Sequence, residues 1–213
     1  MKHNRYFPDL AAVWILAAVL AGCSTLLAPI PDKSRFFMLT PITPGESGSP
    51  AAQSAPSSLI LGLGPIKFPA YLDRTEVVTQ VEPNRMEVSE TNHWAEPLKN
   101  NFTTVLGENL STLLGTPQIV HFPWYSTTHM DYQLATEVQR FDSDAQGNAR
   151  LIAQWTIEDP TTKKILDRGE SNLTASGASD AEQSALQLSR VLADFSRQLA
   201  TAIGQVNAQR RMR

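Results

Sequence analysis

The sequence predicts an α+β fold, a mainly antiparallel sheet with two amphipathic helices packed on one face. Apolar and polar residues alternate over 132–138 and 151–157, which is typical of strands with one buried and one wet face. Apolar residues recur at helical spacing over 98–114 and 188–203, which indicates two helices with one core-facing stripe each. The 213 residues are 42% hydrophobic and 18% charged, as in globular proteins. We expect a single domain over 35–208.

Four strands are expected before the first helix. Residues 35–40 (RFFMLT) and 59–68 (LILGLGPIKF) are apolar runs followed by proline, which predicts two strands. Between them, 41–58 is rich in Pro, Gly and Ser and has too little apolar surface to order itself, so we expect a flexible surface loop. Residues 76–82 and 85–90 lie on either side of a Pro-Asn pair, which predicts a hairpin.

The first helix is predicted over about 94–114. Pro97 belongs in its first turn, where a missing N–H is tolerated, and Gly115 ends the run. A short strand over 118–122 follows.

The second half of the chain predicts an antiparallel meander covered by a second helix. The two alternating stretches flank a turn at 142–148, and a third strand follows over 165–173. The second helix is predicted over 179–208, where Ser179 and Glu182 have the spacing of a capping box.

Residues 1–22 have the pattern of a secretory signal peptide. Their apolar run, 10–20, spans only about 16 Å as a helix and cannot cross a hydrocarbon core of about 30 Å. The run ends in Leu-Ala-Gly-Cys23, which resembles the bacterial lipobox and implies acylation of Cys23 and cleavage just before it. The alternative is an ordinary signal peptide with Cys23 as an incidental thiol. If the lipobox interpretation holds, residues 23–34 are a short lipidated tether. By resemblance to bacterial lipoproteins, the absence of Asp after the cysteine, where Ser24 stands, implies export to the outer membrane.

No catalytic, metal or nucleic-acid site is expected. The formal net charge is -3, and basic residues concentrate only in the tail 209–213, which argues against a nucleic-acid binder. There is no G-x-S-x-G elbow, and Asp142 and Asp144 beside the predicted turn are interpreted as solvated turn formers. The three histidines that follow the predicted signal peptide lack the spacing of a metal site; they are His93, His121 and His129. We therefore expect no enzyme and no cofactor.

Two segments combine aromatic with charged residues, in a predicted loop and at the predicted helix entrance. Their residues are Tyr71, Leu72, Arg74, Trp94, Glu96 and Pro97. Tyr, Trp and Arg are the residue types that anchor protein interfaces. An equally good interpretation is that Tyr71 and Trp94 plug the end of the core.

Four stretches, together with the lipobox, resemble one known family. They are RFFMLTP at 35–41, GPIKFPAYLDR at 64–74, WAEPLKNNFTTVLGENLSTLLG at 94–115 and QWTIED at 154–159. They are similar to the ABC-type transport auxiliary lipoproteins, and the order of the YLDR and WAEPL motifs is the specific part of the resemblance.

The resemblance implies a non-enzymatic outer-membrane lipoprotein anchored by Cys23. It implies a partner, an MCE-domain protein that bridges the periplasm and carries lipid between the membranes, and a ring-like homo-oligomer that docks on it. The six motif residues named above, from Tyr71 to Pro97, are then the candidate partner interface. Two alternatives remain: a lipidated periplasmic binding protein or hydrolase, which requires a deep pocket with a histidine near a carboxylate, and an outer-membrane assembly or lipopolysaccharide-export lipoprotein.

Overall fold

The computed structural model describes residues 32–43, 58–125 and 127–212. The predicted signal peptide, Cys23, most of the tether and most of the predicted 41–58 loop lie outside the described residues. Ser34–Arg213 form one compact unit. Among the described residues, no helix has both the length and the apolar character needed to span a membrane.

Over the described residues the fold consists of eight strands and two helices, and the predicted α+β class is confirmed. A 3-10 turn, Ala70–Leu72, follows the second strand. In chain order the elements are β1 Arg35–Phe37, β2 Leu61–Lys67, β3 Glu76–Glu82, β4 Arg85–Trp94, α1 Leu98–Leu114, β5 Ile119–His121, β6 Tyr132–Asp144, β7 Ala149–Glu158, β8 Ile165–Ala175 and α2 Ala181–Arg211.

The sheet forks at β6, its longest strand. One edge of β6 pairs antiparallel with β7 along almost its whole length, and β8 continues the predicted meander. The other edge pairs in parallel with two different strands: β2 lies along 132–137 and β3 along 143–144. β5 extends the first branch, and the β3–β4 hairpin with β1 extends the second. The long pairings are antiparallel, as predicted. The short parallel pairings join segments that are distant in the sequence, so no local sequence pattern predicts them.

Both helices cover the same face of the sheet and form one hydrophobic core with it. The predicted stripes of both helices are buried, as are the alternating residues of β6 and β7. Phe68, Phe102 and Phe141 meet edge to face, with ring centroids 5.1 to 6.3 Å apart. Aromatic pairs prefer this geometry, so the cluster ties α1 to the centre of the sheet.

Three predicted boundaries were wrong. Trp94 ends β4 instead of starting the helix, and Pro97 is the N-cap of α1 instead of a first-turn residue. The capping box lies one residue later than expected: Asp180 is the N-cap of α2, and its carboxylate accepts the backbone N–H of Gln183. Asp is an N-cap residue as good as Ser, so composition alone did not separate the two registers.

The first strand is also shorter than predicted, because the chain leaves the sheet after Phe37 and runs onto the helices. Residues 39–42, which we call the strap, bond to side chains instead of to a strand. The backbone N–H of Leu39 donates to Oδ1 of Asn101 at 2.6 Å, and that of Ile42 donates to Oδ1 of Asn109 at 2.7 Å. Between them, the backbone N–H of Thr40 donates to Oγ of a serine of α2 at 3.1 Å. The strap is thus hydrogen-bonded to both helices.

Candidate functional site

The structure brings the two aromatic and charged motif segments together. The backbone N–H of Trp94 donates to the carbonyl oxygen of Thr75 at 2.6 Å, and Glu76 pairs with His93 in the β3–β4 ladder. Residues 71–74 and 94–97 therefore lie side by side at one end of the β3–β4 hairpin. β1 lies there as well, since Phe37 pairs with Trp94.

Tyr71 is bound to the fork of the sheet. Its hydroxyl donates to Oδ2 of Asp142 at 2.5 Å, across the stretch of β6 between its pairings with β2 and β3. Partial burial raises the pKa of the Tyr71 phenol, and the neighbouring Asp142 carboxylate raises it further, so the phenol stays protonated as a hydrogen-bond donor. Tyr71 as a residue remains about one-third exposed, with 36% of its surface accessible.

Asp142 is not a solvated turn former, as the sequence had suggested, but a buried carboxylate with 3% of its surface exposed. Arg140 offsets the cost of burying this charge, because its Nε and Nη2 donate to Oδ1 of Asp142 at 2.9 and 2.8 Å. Arg140 also donates to the side-chain oxygen of Gln80 on β3. Tyr71, Asp142, Arg140 and Gln80 form a network, the fork network, that connects the 71–74 loop to both β3 and β6. No local signal marks it, because its members come from three separate segments.

The six predicted interface residues divide between core and surface. Leu72 and Trp94 are buried, with 3% and 4% exposure, and they pack into the main core as the plug interpretation expects. Arg74 and Pro97 are exposed. Glu96 is half-buried, and its Oε1 accepts a hydrogen bond from Nδ2 of Asn101 at 3.0 Å. Of these six residues, the exposed ones are therefore Tyr71, Arg74 and Pro97, next to the buried Leu72 and Trp94.

The histidines lie in separate surroundings. His93 packs against the Phe36 ring with centroids 5.6 Å apart, whereas His121 lies against the backbone of α1 at Gly107. Over the described residues, no group of three or more His, Cys, Asp or Glu side chains is arranged to hold a metal ion.

Comparisons with known proteins show where this fold occurs. A crystal structure of an uncharacterized protein is 19% identical, with a TM-score of 0.64, over 80% of this chain and 98% of that chain. A crystal structure of a protein from Xanthomonas campestris is 14% identical, with a TM-score of 0.69, over 84% of this chain and 100% of that chain. At these identities the likeness shows the fold alone. No curated protein matches the chain.

The family comparison covers nearly the whole domain. The profile described as ABC-type transport auxiliary lipoprotein component matches residues 37–200, a range that begins in β1 and ends in α2. Both motif segments and the fork network lie within it. The chain therefore belongs to the family of ABC-type transport auxiliary lipoprotein components.

Proposed function

We propose that this lipoprotein is held at the periplasmic face of the outer membrane by acylated Cys23 and docks on a periplasm-spanning MCE-domain protein that carries lipid between the membranes. The observation that supports docking is the pair of adjacent, partly exposed motif segments, 71–74 and 94–97, of which the first is hydrogen-bonded to the fork network. A preorganised polar and aromatic surface loses little conformational entropy when a partner binds. The docking surface is defined by Tyr71, Arg74 and Pro97.

The position of the docking surface fits a lipid-delivery role. The 94–97 segment adjoins β1, because the backbone N–H of Ala95 donates to the carbonyl oxygen of Phe37 at 2.9 Å. β1 is the first element after the tether, and a tether over 23–34 reaches about 36 Å at most. A partner bound here is thereby kept close to the membrane that anchors the lipoprotein. Members of a transport auxiliary family work with other components, and a ring of identical copies would present several docking surfaces to one tunnel.

Site-specific photocrosslinking tests the docking. A photoreactive amino acid placed at Arg74 or Pro97 in membrane-bound protein is expected to crosslink to the MCE-domain protein, identified by mass spectrometry. The same amino acid at Arg168, an exposed position on β8, is the matched control and is expected to give no such product. Equal crosslinking from all three positions, or a β-barrel protein as the specific product, would refute this docking surface; the second result favours the assembly alternative.

Membrane fractionation tests the anchor separately. The Cys23→Ala variant is expected to leave the outer-membrane fraction, and intact-mass measurement of the unaltered protein is expected to show an acylated Cys23 terminus. A variant that still sediments with outer membranes would contradict the anchor. Chemical crosslinking of the purified protein, followed by measurement of its mass, tests the homo-oligomer. A closed ring is expected to give one largest species with a fixed number of copies.

A further inference from the structure

A cleft of about 970 Å³ lies between the C-terminal ends of β2 and β5 and the first turns of α1. Its volume is at the upper end of the roughly 300–1,000 Å³ range of small-molecule sites. Leu63, Ile66 and Phe68 lie at its inner side, and Phe122 and Pro123 form an apolar wall. Phe122 keeps 52% of its surface exposed, so the wall is accessible to a ligand.

Two glycines give the cleft its shape. Gly64 has φ +125, and a Cβ built there would lie 2.6 Å from Cβ of Phe122. Gly107 on α1 would place a Cβ 2.7 Å from Cε1 of His121. A larger residue at Gly64 would displace Phe122 of the wall, and one at Gly107 would displace the ring of His121, which also lines the cleft. The backbone N–H of Phe122 donates to the carbonyl oxygen of Leu63 at 3.0 Å, which fixes the wall in its exposed position.

The charges at the cleft have one sign. Lys67 and Lys99 line it, and no lining residue is acidic, although the chain as a whole has a net charge of -3. Lys67 pairs with Glu137 at 3.3 Å, but that carboxylate is not among the lining residues, and both side chains are more than half exposed. Among the described residues, the Lys99 ammonium has no ion-pair partner.

We propose that this cleft binds one anionic amphiphile, with its alkyl chain against the Phe122 wall and its phosphate between Lys67 and Lys99. An apolar wall removes methylene groups from water, and two ammonium groups at the rim select a negative headgroup over a neutral or zwitterionic one. The cleft shares no residue with the docking surface. The chain would therefore hold a lipid-like molecule itself, in addition to docking on a carrier.

Photolabelling with a defined probe tests this site. The full acylated protein is placed in phosphatidylcholine nanodiscs and exposed to dodecyl phosphate bearing a diazirine on its chain. Peptides covering 63–68, 99–104 and 121–123 are expected to take up the label. Labelling is expected to fall at least fivefold in the Lys67→Glu, Lys99→Glu double variant and in Phe122→Ser. The controls are Lys164→Glu and Phe36→Ser, an exposed lysine and an exposed phenylalanine outside the cleft, and both should label like the unaltered protein.

Competition identifies the headgroup that the site selects. Excess unlabelled dodecyl phosphate should suppress the label, whereas inorganic phosphate and dodecanol should not. Circular dichroism of each variant confirms that it folds, and Lys67→Gln, Lys99→Gln provides a milder charge change. Label outside the three peptides, equal labelling of cleft and control variants, or equal competition by dodecanol would overturn the proposal. Because no partner protein is present, a failure here is distinguishable from a failure of docking.

Discussion

Replacing Asn109 with alanine is expected to lower the free energy of unfolding by about 2–4 kcal/mol. The Asn109 side chain is fully buried and makes two hydrogen bonds: Oδ1 accepts from the Ile42 backbone at 2.7 Å, and Nδ2 donates to Oγ of Ser196 at 3.1 Å. Without it, the N–H of Ile42, a residue with 6% exposure, has no acceptor, which costs about 1–3 kcal/mol. Losing the second bond adds about 1 kcal/mol, since the Ser196 hydroxyl still donates to the carbonyl oxygen of Leu192.

Urea unfolding followed by circular dichroism measures this loss. With a slope of about 2 kcal/mol per molar urea, the midpoint should move down by roughly 1–2 M. Asn100→Ala is the matched control, because Asn100 lies on the same helix, is exposed and has no side-chain hydrogen bond within the described ranges. If the free energies of unfolding of Asn109→Ala and Asn100→Ala differ by less than about 0.5 kcal/mol, the asparagine side chain does not hold the strap and the prediction is wrong.

Two further changes test the turns that frame the sheet. Gly147→Ala should lower the free energy of unfolding, measured by thermal unfolding, by at least about 2 kcal/mol, because Gly147 has φ +78 and a Cβ there would lie 1.9 Å from the carbonyl oxygen of Ala178. The control, Gly204→Ala on α2, has open space around it and should be neutral or stabilising. Equal effects of the two substitutions would contradict this prediction. Partial burial raises the pKa of Asp144, but hydrogen bonds from Asn148 and neighbouring N–H groups outweigh it, so the pKa is lowered. The resulting stabilisation is present at pH values above the ordinary Asp pKa of about 3.9 and is lost as the pH falls through the folded-state pKa. The free energy of unfolding, measured from pH 6 to 3, should therefore decrease less steeply in Asp144→Asn than in the unaltered protein. An unchanged slope would contradict this prediction.

The elements with regular patterns were predictable from the sequence. Tyr132, Leu134 and Val138 alternate on β6 and are all buried, as expected for a strand with one wet face. The same holds for the apolar stripes of the two helices, whose spacing follows from the helical repeat alone. Each of these predictions depends only on residues close together in the chain.

The polar contacts of the core were not predictable in this way. Asp142 has the pattern of a turn residue because it precedes a polar turn. Its burial depends on hydrogen bonds from Arg140, two residues earlier, and from Tyr71, which is distant in the sequence. Asn101 and Asn109 lie eight positions apart on the buried side of α1, where a polar residue breaks the apolar pattern. Such breaks are the one available signal, since buried amides need partners, but the sequence does not say which partners they find.

The short β1 strand has a mechanical consequence for a protein held by its N-terminus. β1 runs parallel to the last three residues of β4, from Arg35 opposite Asn92 to Phe37 opposite Trp94. A pull on the tether along the strand axis would load these backbone hydrogen bonds in shear, so they must rupture together and not one after another. Behind them, the asparagine bonds of the strap bear the load next. The domain would therefore resist thermal and viscous forces at its point of attachment better than a three-residue strand suggests.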